Sequence, residues 1–182
     1  VPFHFWGPDV YQGASNAVLM YMSTVVKIAG IYAIIYVFAA VFRDSYFFWI
    51  DLVSLIIVAS LFYGYITAWR QTSFRRLMAY SSIANAGLML FTLADTNNSN
   101  VFIFILAYAV STIALVVSNQ SNGENADELS AWEGLAWKHP LLGISIVLAL
   151  FSLAGIPPMA GFFGKFAVFA AALQIGGVAG PA

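Results

Sequence analysis

Residues 151–166 read FSLAGIPPMAGFFGKF, an apolar segment in which two prolines and three glycines fall close together. Pro157 and Pro158 remove two consecutive backbone N–H donors, so a regular helix cannot run through them. The apolar run continues on both sides of this cluster and is too long for one straight membrane span. We therefore predict a broken helix, with a first half that ends near Ile156 and a second half that begins near Gly161.

The position of the break has a functional implication. Irregular backbone at membrane depth is tolerated only where protein encloses it or where it lines a water-filled cavity. A simple kink is the alternative interpretation. Lys165 lies just beyond the glycines and prolines, which favours a functional site at the break.

About 20 predominantly apolar residues are needed for a spanning helix, and several other parts of the chain meet this requirement. The sequence predicts an all-α fold, a polytopic transmembrane helical bundle with about five spans, the last one broken between Gly155 and Pro158. We expect no soluble domain. The predicted spans cover residues 14–42, 49–69, 77–93, 101–118 and 141–176.

The composition excludes several classes of protein. Charged residues make up 8% of the chain, against roughly 25% in soluble domains. The net charge of −1 and the lack of a basic patch exclude a nucleic-acid-binding module. Cysteine is absent, there are two histidines, and no phosphate loop, dinucleotide fingerprint or HExxH motif occurs. We expect neither a redox centre nor a bound cofactor or metal in this chain.

The chain opens at Val1 without a signal-peptide pattern, so we expect it to start inside a longer protein.

Lysine and arginine are enriched in cytoplasmic loops. Counted over the predicted connections, they assign residues 1–13, 70–76 and 119–139 to the inner face.

Lys27 is the first candidate functional residue. It lies near the middle of the first predicted span, roughly 20 Å from either end at 1.5 Å per residue, too deep to reach water easily. Ionisable residues at such depth usually face the bundle interior or a hydrated path. The alternative is a lysine paired with a buried carboxylate for packing alone. No acidic residue of this chain lies deep in a predicted span, so such a partner would have to come from elsewhere.

Lys165 and His4 are the other candidates. A lysine amine beside a hydrated helix break can gain and lose a proton near neutral pH, although Lys165 could instead snorkel to the nearer surface. His4 lies in PFHFW at residues 2–6, close to the predicted inner face. Because histidine titrates near neutral pH, His4 is a candidate point of proton uptake. Simple packing of the ring is the alternative.

Four segments together resemble one family, the antiporter-like membrane subunits of proton-pumping NADH:quinone oxidoreductase (respiratory complex I), in particular subunit N, the relative of mitochondrial subunit 2. They are VPFHFWGPDVYQGA at 1–14, STVVKIA at 23–29, QTSFRRLMAYSSIANAG at 71–87 and FSLAGIPPMAGFFGKF at 151–166. Multi-subunit Na⁺/H⁺ antiporters and membrane-bound hydrogenases share a looser version of these motifs.

The resemblance implies that residues 1–182 are a fragment of one antiporter-like membrane domain, similar to family helices 8–12 plus the end of helix 7. In that family, lysines along the membrane midplane relay protons. Lys27 resembles the central lysine of helix 8, Lys165 resembles the lysine of the broken helix 12, and His4 matches a histidine after helix 7. Asn85 stands where the family usually has a histidine, which weakens any relay through a histidine in the third span.

The resemblance also implies the partners and the setting. NADH, FMN, iron–sulfur clusters and quinone would be bound by other subunits, and this chain would contact the membrane subunits of complex I and the lipid bilayer. The expected location is a bacterial inner membrane, with the mitochondrial inner membrane as the alternative. Two other functions stay open: a subunit of a Na⁺/H⁺ antiporter or membrane-bound hydrogenase, and a structural scaffold whose lysines are inert.

Overall fold

The computed structural model describes residues 3–42, 45–94, 99–123 and 127–178, and it forms a bundle of α-helices. No strand is present in these four ranges. Short 3-10 turns, Phe91–Ala94 and Leu129–Trp132, extend or connect the helices. The helices are α1 Trp6–Gly13, α2 Asn16–Ser23, α3 Val25–Ala40, α4 Tyr46–Trp69, α5 Phe74–Leu90, α6 Ser99–Ser121, α7 Leu135–Lys138, α8 Pro140–Ala154 and α9 Ala160–Val178.

The predicted break in the last span is confirmed. α8 ends at Ala154 and α9 begins at Ala160, within two residues of the predicted boundaries. Gly155 adopts the left-handed conformation, with φ 80° and ψ 43°, which glycine reaches without a steric penalty. The N–H groups of Gly155 and Ile156 both donate to the Phe151 carbonyl, each at 2.9 Å. The helix therefore ends with a glycine C-cap, and prolines commonly follow such caps.

The first span, predicted as one continuous helix over residues 14–42, is interrupted in the structure. α2 and α3 are separated at Thr24, whose backbone has φ −113° and ψ −75°. The hydroxyls of Ser23 and Thr24 donate to the Met20 carbonyl at 3.1 and 2.6 Å. Such side-chain bonds compete with the backbone ladder and interrupt helices locally. α2 and α3 together still form one candidate span, Asn16–Phe38.

Three helical segments of the described chain are long and apolar enough to cross a membrane: Asn16–Phe38, Phe48–Trp69 and Phe102–Ser121. α8 and the described part of α9 are shorter apolar helices, as expected for two halves of a broken span. One face of α4 packs on the bundle and the opposite face exposes large apolar side chains. The exposed side chains of that face include Leu52, Leu55, Phe62 and Ile66.

α6 lies at the centre of the bundle. Phe104 and Tyr108 of α6 are buried together with Ile31 and Ile35 of α3 and Val168 of α9. At the crossing of α6 and α9, a Cβ added to Gly164 would lie 2.7 Å from the Cα of Phe104. Small residues allow helix backbones in membranes to approach this closely. As a result, α6 contacts the helices that carry both candidate lysines.

Polar contacts connect three segments at one end of the bundle. The Arg75 guanidinium donates to the carbonyls of Gln12 and Ala14, both at 3.0 Å. Asp127 accepts from the Arg75 N–H at 3.0 Å and from the Ser73 hydroxyl at 2.8 Å. These bonds join the chain after α1, the start of α5 and the loop before α7. The charge pattern assigned these same segments to one face, and their cytoplasmic orientation stays a prediction.

Candidate proton-relay site

Lys27 is held by neutral oxygens from two neighbouring helices. Its Nζ donates to the Ser82 carbonyl of α5 at 3.0 Å and to the Tyr108 hydroxyl of α6 at 2.8 Å. The ammonium also lies 4.8 Å from the centre of the Tyr108 ring, within the range of a cation–π contact. In the part of the chain that the structure describes, the two ion pairs involve Arg75 and Arg76, and neither involves Lys27.

Further hydroxyl groups surround this ammonium. The side chains of Ser82 and Thr112 lie near the Tyr108 hydroxyl, and Ser82 also lies near the Tyr11 hydroxyl. All four of these residues are buried. A buried ammonium needs hydrogen-bond acceptors because unpaired polar groups are costly in an apolar environment. The hydroxyl cluster of Tyr11, Ser82, Tyr108 and Thr112 therefore makes the Lys27 site polar without adding charge.

A cavity of about 240 Å³ joins two of the predicted residues. His4 and Lys27 both line it, and Tyr11 and Ser82 contribute further polar groups to a wall that is otherwise mostly apolar. Each water molecule takes up about 30 Å³ of liquid, so the cavity has room for several. His4, the candidate point of proton uptake, and Lys27 therefore line the same cavity.

His4 packs between two aromatic rings. Its imidazole stacks on Phe5 with ring centres 4.7 Å apart and meets the edge of Tyr63 at 4.3 Å. Packing and proton uptake are compatible for this residue because the ring also faces the cavity. Its role as a point of uptake stays a prediction.

Lys165 contacts the helix break itself. Its Nζ donates to the carbonyl of Leu153 at 2.5 Å. In an unbroken helix, the N–H four residues on would bond to this carbonyl. That residue is Pro157, which has no N–H. The ammonium of Lys165 therefore replaces the donor that the proline removes, and the side chain is half-buried instead of extended into open solvent.

The two lysine sites are near one face of α6, about one helical turn apart, because Tyr108 and Phe104 are four residues apart. Tyr108 of α6 bonds to Lys27, whereas Phe104, one helical turn away, packs against Gly164 next to Lys165. Phe104 is 2% exposed and belongs to a buried apolar cluster. Within the described residues, no hydrogen bond joins Lys27 to Lys165.

Asn85 lies one turn beyond Ser82 on α5 and is 1% exposed. Its amide nitrogen donates to the Ser81 carbonyl at 2.9 Å. Its Oδ1 has no hydrogen-bond partner among the described residues. Asn85, which stands where the family usually has a histidine, is therefore a buried polar residue close to the Lys27 site.

Sequence reasoning missed the partners of Lys27. It assigned no role to Tyr108 or Tyr11. A weak signal was present: Tyr108 and Thr112 place two hydroxyls one turn apart in the middle of an apolar span. Nothing in the sequence connects this pair to Lys27, which lies 81 residues earlier.

The family description that matches this chain is "NADH:quinone oxidoreductase/Mrp antiporter, TM", and the match covers residues 1–180. The chain belongs to this family. Membership confirms the resemblance found in the sequence and the prediction of an all-α membrane bundle. The family description and the apolar helices identify the chain as part of an integral membrane protein.

Similar proteins come from several bacteria. NADH-quinone oxidoreductase subunit N of Paramagnetospirillum magneticum is 36% identical over 182 residues, which cover 97% of this chain and 37% of that protein. NADH-quinone oxidoreductase subunit 14 of Thermus thermophilus is 39% identical over 176 residues, covering 96% of this chain and 39% of that protein. The chain thus spans about two fifths of the length of these relatives.

A solved structure has the same fold. It is respiratory complex I from Thermus thermophilus with bound aureothin, in which one chain matches with a TM-score of 0.86 and 35% sequence identity. The match covers 98% of this chain and 40% of that chain.

Proposed function

We propose that the protein containing this chain translocates protons as a membrane subunit of NADH:quinone oxidoreductase. The observation that carries the proposal is the Lys27 site, where an ammonium in mid-span is held by neutral oxygens and shares a cavity with His4. A charge in the bilayer interior is costly and usually marks an ion pathway. The family of this chain supports the same activity.

Each candidate residue has a role in this proposal. His4 takes up protons near the inner face, Lys27 passes them across the centre of the membrane, and Lys165 receives them and releases them outward. Redox chemistry takes place in other subunits that bind NADH, FMN, iron–sulfur clusters and quinone. This chain would act as part of a translocase assembled with other membrane subunits of complex I. The bacterial relatives favour a bacterial plasma membrane over the mitochondrial inner membrane.

The test is proton pumping by the intact complex. Lys27→Ala and Lys165→Ala are expected to slow quinone-linked proton pumping by at least about tenfold, since each removes a charged hydrogen-bonding group worth about 1.5–3 kcal/mol. Lys138→Ala is the matched control, because Lys138 is an exposed lysine at the end of α7. Pumping at the wild-type rate in both test variants would refute the proposal.

A second candidate function is Na⁺/H⁺ exchange, because the matching family description also names Mrp antiporters. The same lysines would serve that function. Ion exchange measured in vesicles without NADH separates the two: sodium-dependent proton movement favours the antiporter, and dependence on NADH and quinone favours the oxidoreductase.

The scaffold alternative requires inert lysines. It would be favoured by a dry site in which Lys27 is paired permanently with a carboxylate. Over the described residues, Lys27 bonds instead to a carbonyl and a phenol beside a cavity, which favours a lysine that exchanges protons.

A further inference from the structure

The two partners of Lys27 differ in what they can do. The Ser82 carbonyl can only accept a hydrogen bond, whereas the Tyr108 hydroxyl can both donate and accept. An ammonium has three N–H donors and no acceptor. Both partners can therefore accept a hydrogen bond from the charged ammonium. The neutral amine also has a lone pair, and of these two partners only the tyrosine hydroxyl can donate a hydrogen bond to it.

We propose that Tyr108 is the positioning residue that permits Lys27 to release and regain its proton, by reversing the hydrogen bond between the two side chains. The inference rests on the proposed function and adds a residue to it. In the charged state, Nζ–H donates to the Tyr108 oxygen. When the Nζ–H bond breaks, the proton passes to a water molecule in the cavity. The Tyr108 O–H then turns and donates to the lone pair of the neutral amine.

Tyr108 keeps its own proton throughout, so the step only moves one proton from Nζ to water. The reverse step restores the ammonium and turns the hydroxyl away again. A partner that could only accept would leave the amine lone pair without a donor in a buried setting, where an unsatisfied polar group is costly.

The surroundings of Tyr108 suit this reversal. While Lys27 is charged, the hydroxyl hydrogen of Tyr108 needs an acceptor other than Nζ. The side chains of Ser82 and Thr112 both lie near this hydroxyl. The Thr112 hydroxyl donates to the Tyr108 carbonyl at 2.8 Å, which leaves its own oxygen lone pairs able to accept. Both hydroxyl oxygens are therefore candidate acceptors for this hydrogen while Lys27 is charged.

The ring itself is held in place. Tyr108 is 4% exposed and packs within the apolar cluster that includes Phe104 and Val168. The ammonium lies at the hydroxyl end of the ring, with Nζ 2.8 Å from the hydroxyl oxygen and 4.8 Å from the ring centre. Only the hydroxyl hydrogen has to move during the reversal.

The experiment compares Tyr108→Phe with Tyr36→Phe in the intact complex. Both substitutions remove one phenol oxygen, but Tyr36 of α3 is 64% exposed and takes part in neither of the Lys27 hydrogen bonds. Tyr108→Phe keeps the ring and is expected to slow proton pumping about tenfold, the loss that corresponds to one hydrogen bond to a charged group. Tyr36→Phe is expected to pump at the wild-type rate.

Infrared difference spectra of the complex, recorded between resting and NADH-reduced states, provide a readout that a packing role would not change. With ring-deuterated tyrosine, we expect a tyrosine C–O–H band that is retained in Tyr36→Phe and lost in Tyr108→Phe. Thr112→Val tests the same idea with the tyrosine intact, and is expected to slow pumping by a smaller factor because one of two acceptors remains.

Wild-type pumping by Tyr108→Phe, together with impaired pumping by Lys27→Ala, would overturn this inference and leave the proposed function standing. Slow pumping with an unchanged tyrosine band would also overturn it, because the residue would then act by packing. Wild-type pumping by Tyr108→Phe and by both Lys27→Ala and Lys165→Ala would refute the proposed function as well as this inference.

Discussion

Lys27 and Lys165 are the same residue type in the same bundle, yet their ammonium groups are stabilised in different ways. At Lys27, oxygens of α5 and α6 accept the hydrogen bonds. At Lys165, the acceptor is a backbone carbonyl only 12 residues away, at the end of α8. One site therefore depends on how distant helices pack, and the other depends on a local defect in one helix. This difference indicates that the two sites can be disrupted separately.

The largest effect is expected where α6 contacts both sites. Gly164→Leu places a side chain where even a Cβ would lie 2.7 Å from the Phe104 Cα, so α6 and α9 must move apart. Overpacking of this kind costs about 1–3 kcal/mol or more. We expect little assembled subunit in membranes, as measured by immunoblotting of the purified complex.

Gly30→Leu is the matched control, since no described atom lies within 4 Å of a Cβ added at Gly30. It should assemble normally. Equal assembly of both variants would show that the close crossing of α6 and α9 is not required.

The next effect is specific to the Lys165 site. Replacing both Pro157 and Pro158 by alanine restores two N–H donors, so α8 can extend and its own backbone can bond to the Leu153 carbonyl. Lys165 then loses its acceptor. We expect proton pumping to fall by about tenfold, on the scale of one lost charged hydrogen bond, with the Lys27 contacts unaffected.

Pro140→Ala is the control for that double substitution. Pro140 is the first residue of α8, where a missing N–H is tolerated because the first-turn donors have no intrahelical partner. Pumping rates are measured for both variants in the same vesicle preparation. A loss with Pro140→Ala as large as with the double variant would argue against a specific role of the break.

The smallest effect concerns the Lys27 site. Ser82→Ala removes the hydroxyl that interacts with Tyr11 and Tyr108, but it keeps the backbone carbonyl that accepts from Lys27. We expect pumping to slow only a few-fold, because one neutral hydrogen bond contributes about 1 kcal/mol. The rate should lie between those of wild type and Tyr108→Phe. A rate below that of Tyr108→Phe would contradict the larger role assigned to the Tyr108 hydroxyl.

The two sites also differ in how far the sequence could predict them. The break was predictable to within two residues, because adjacent prolines and a following lysine act over a few positions of one helix. The depth of Lys27 was predictable from the length of the surrounding apolar run. The interruption at Thr24 was missed, since hydroxyl bonds to the Met20 carbonyl are one of several states open to serine and threonine in a helix.

Local features are therefore determined by the sequence alone: the membrane class, the broken span, a mid-span position for Lys27 and a position beside the break for Lys165. The folded bundle decides the rest. It places Tyr108 against Lys27 across 81 residues, lets His4 and Lys27 line one cavity, and packs Phe104 of α6 against Gly164, next to Lys165. The physical reason is that hydropathy and proline act through neighbouring residues along the chain, whereas a hydrogen bond between helices depends on their packing, which many separate contacts determine together.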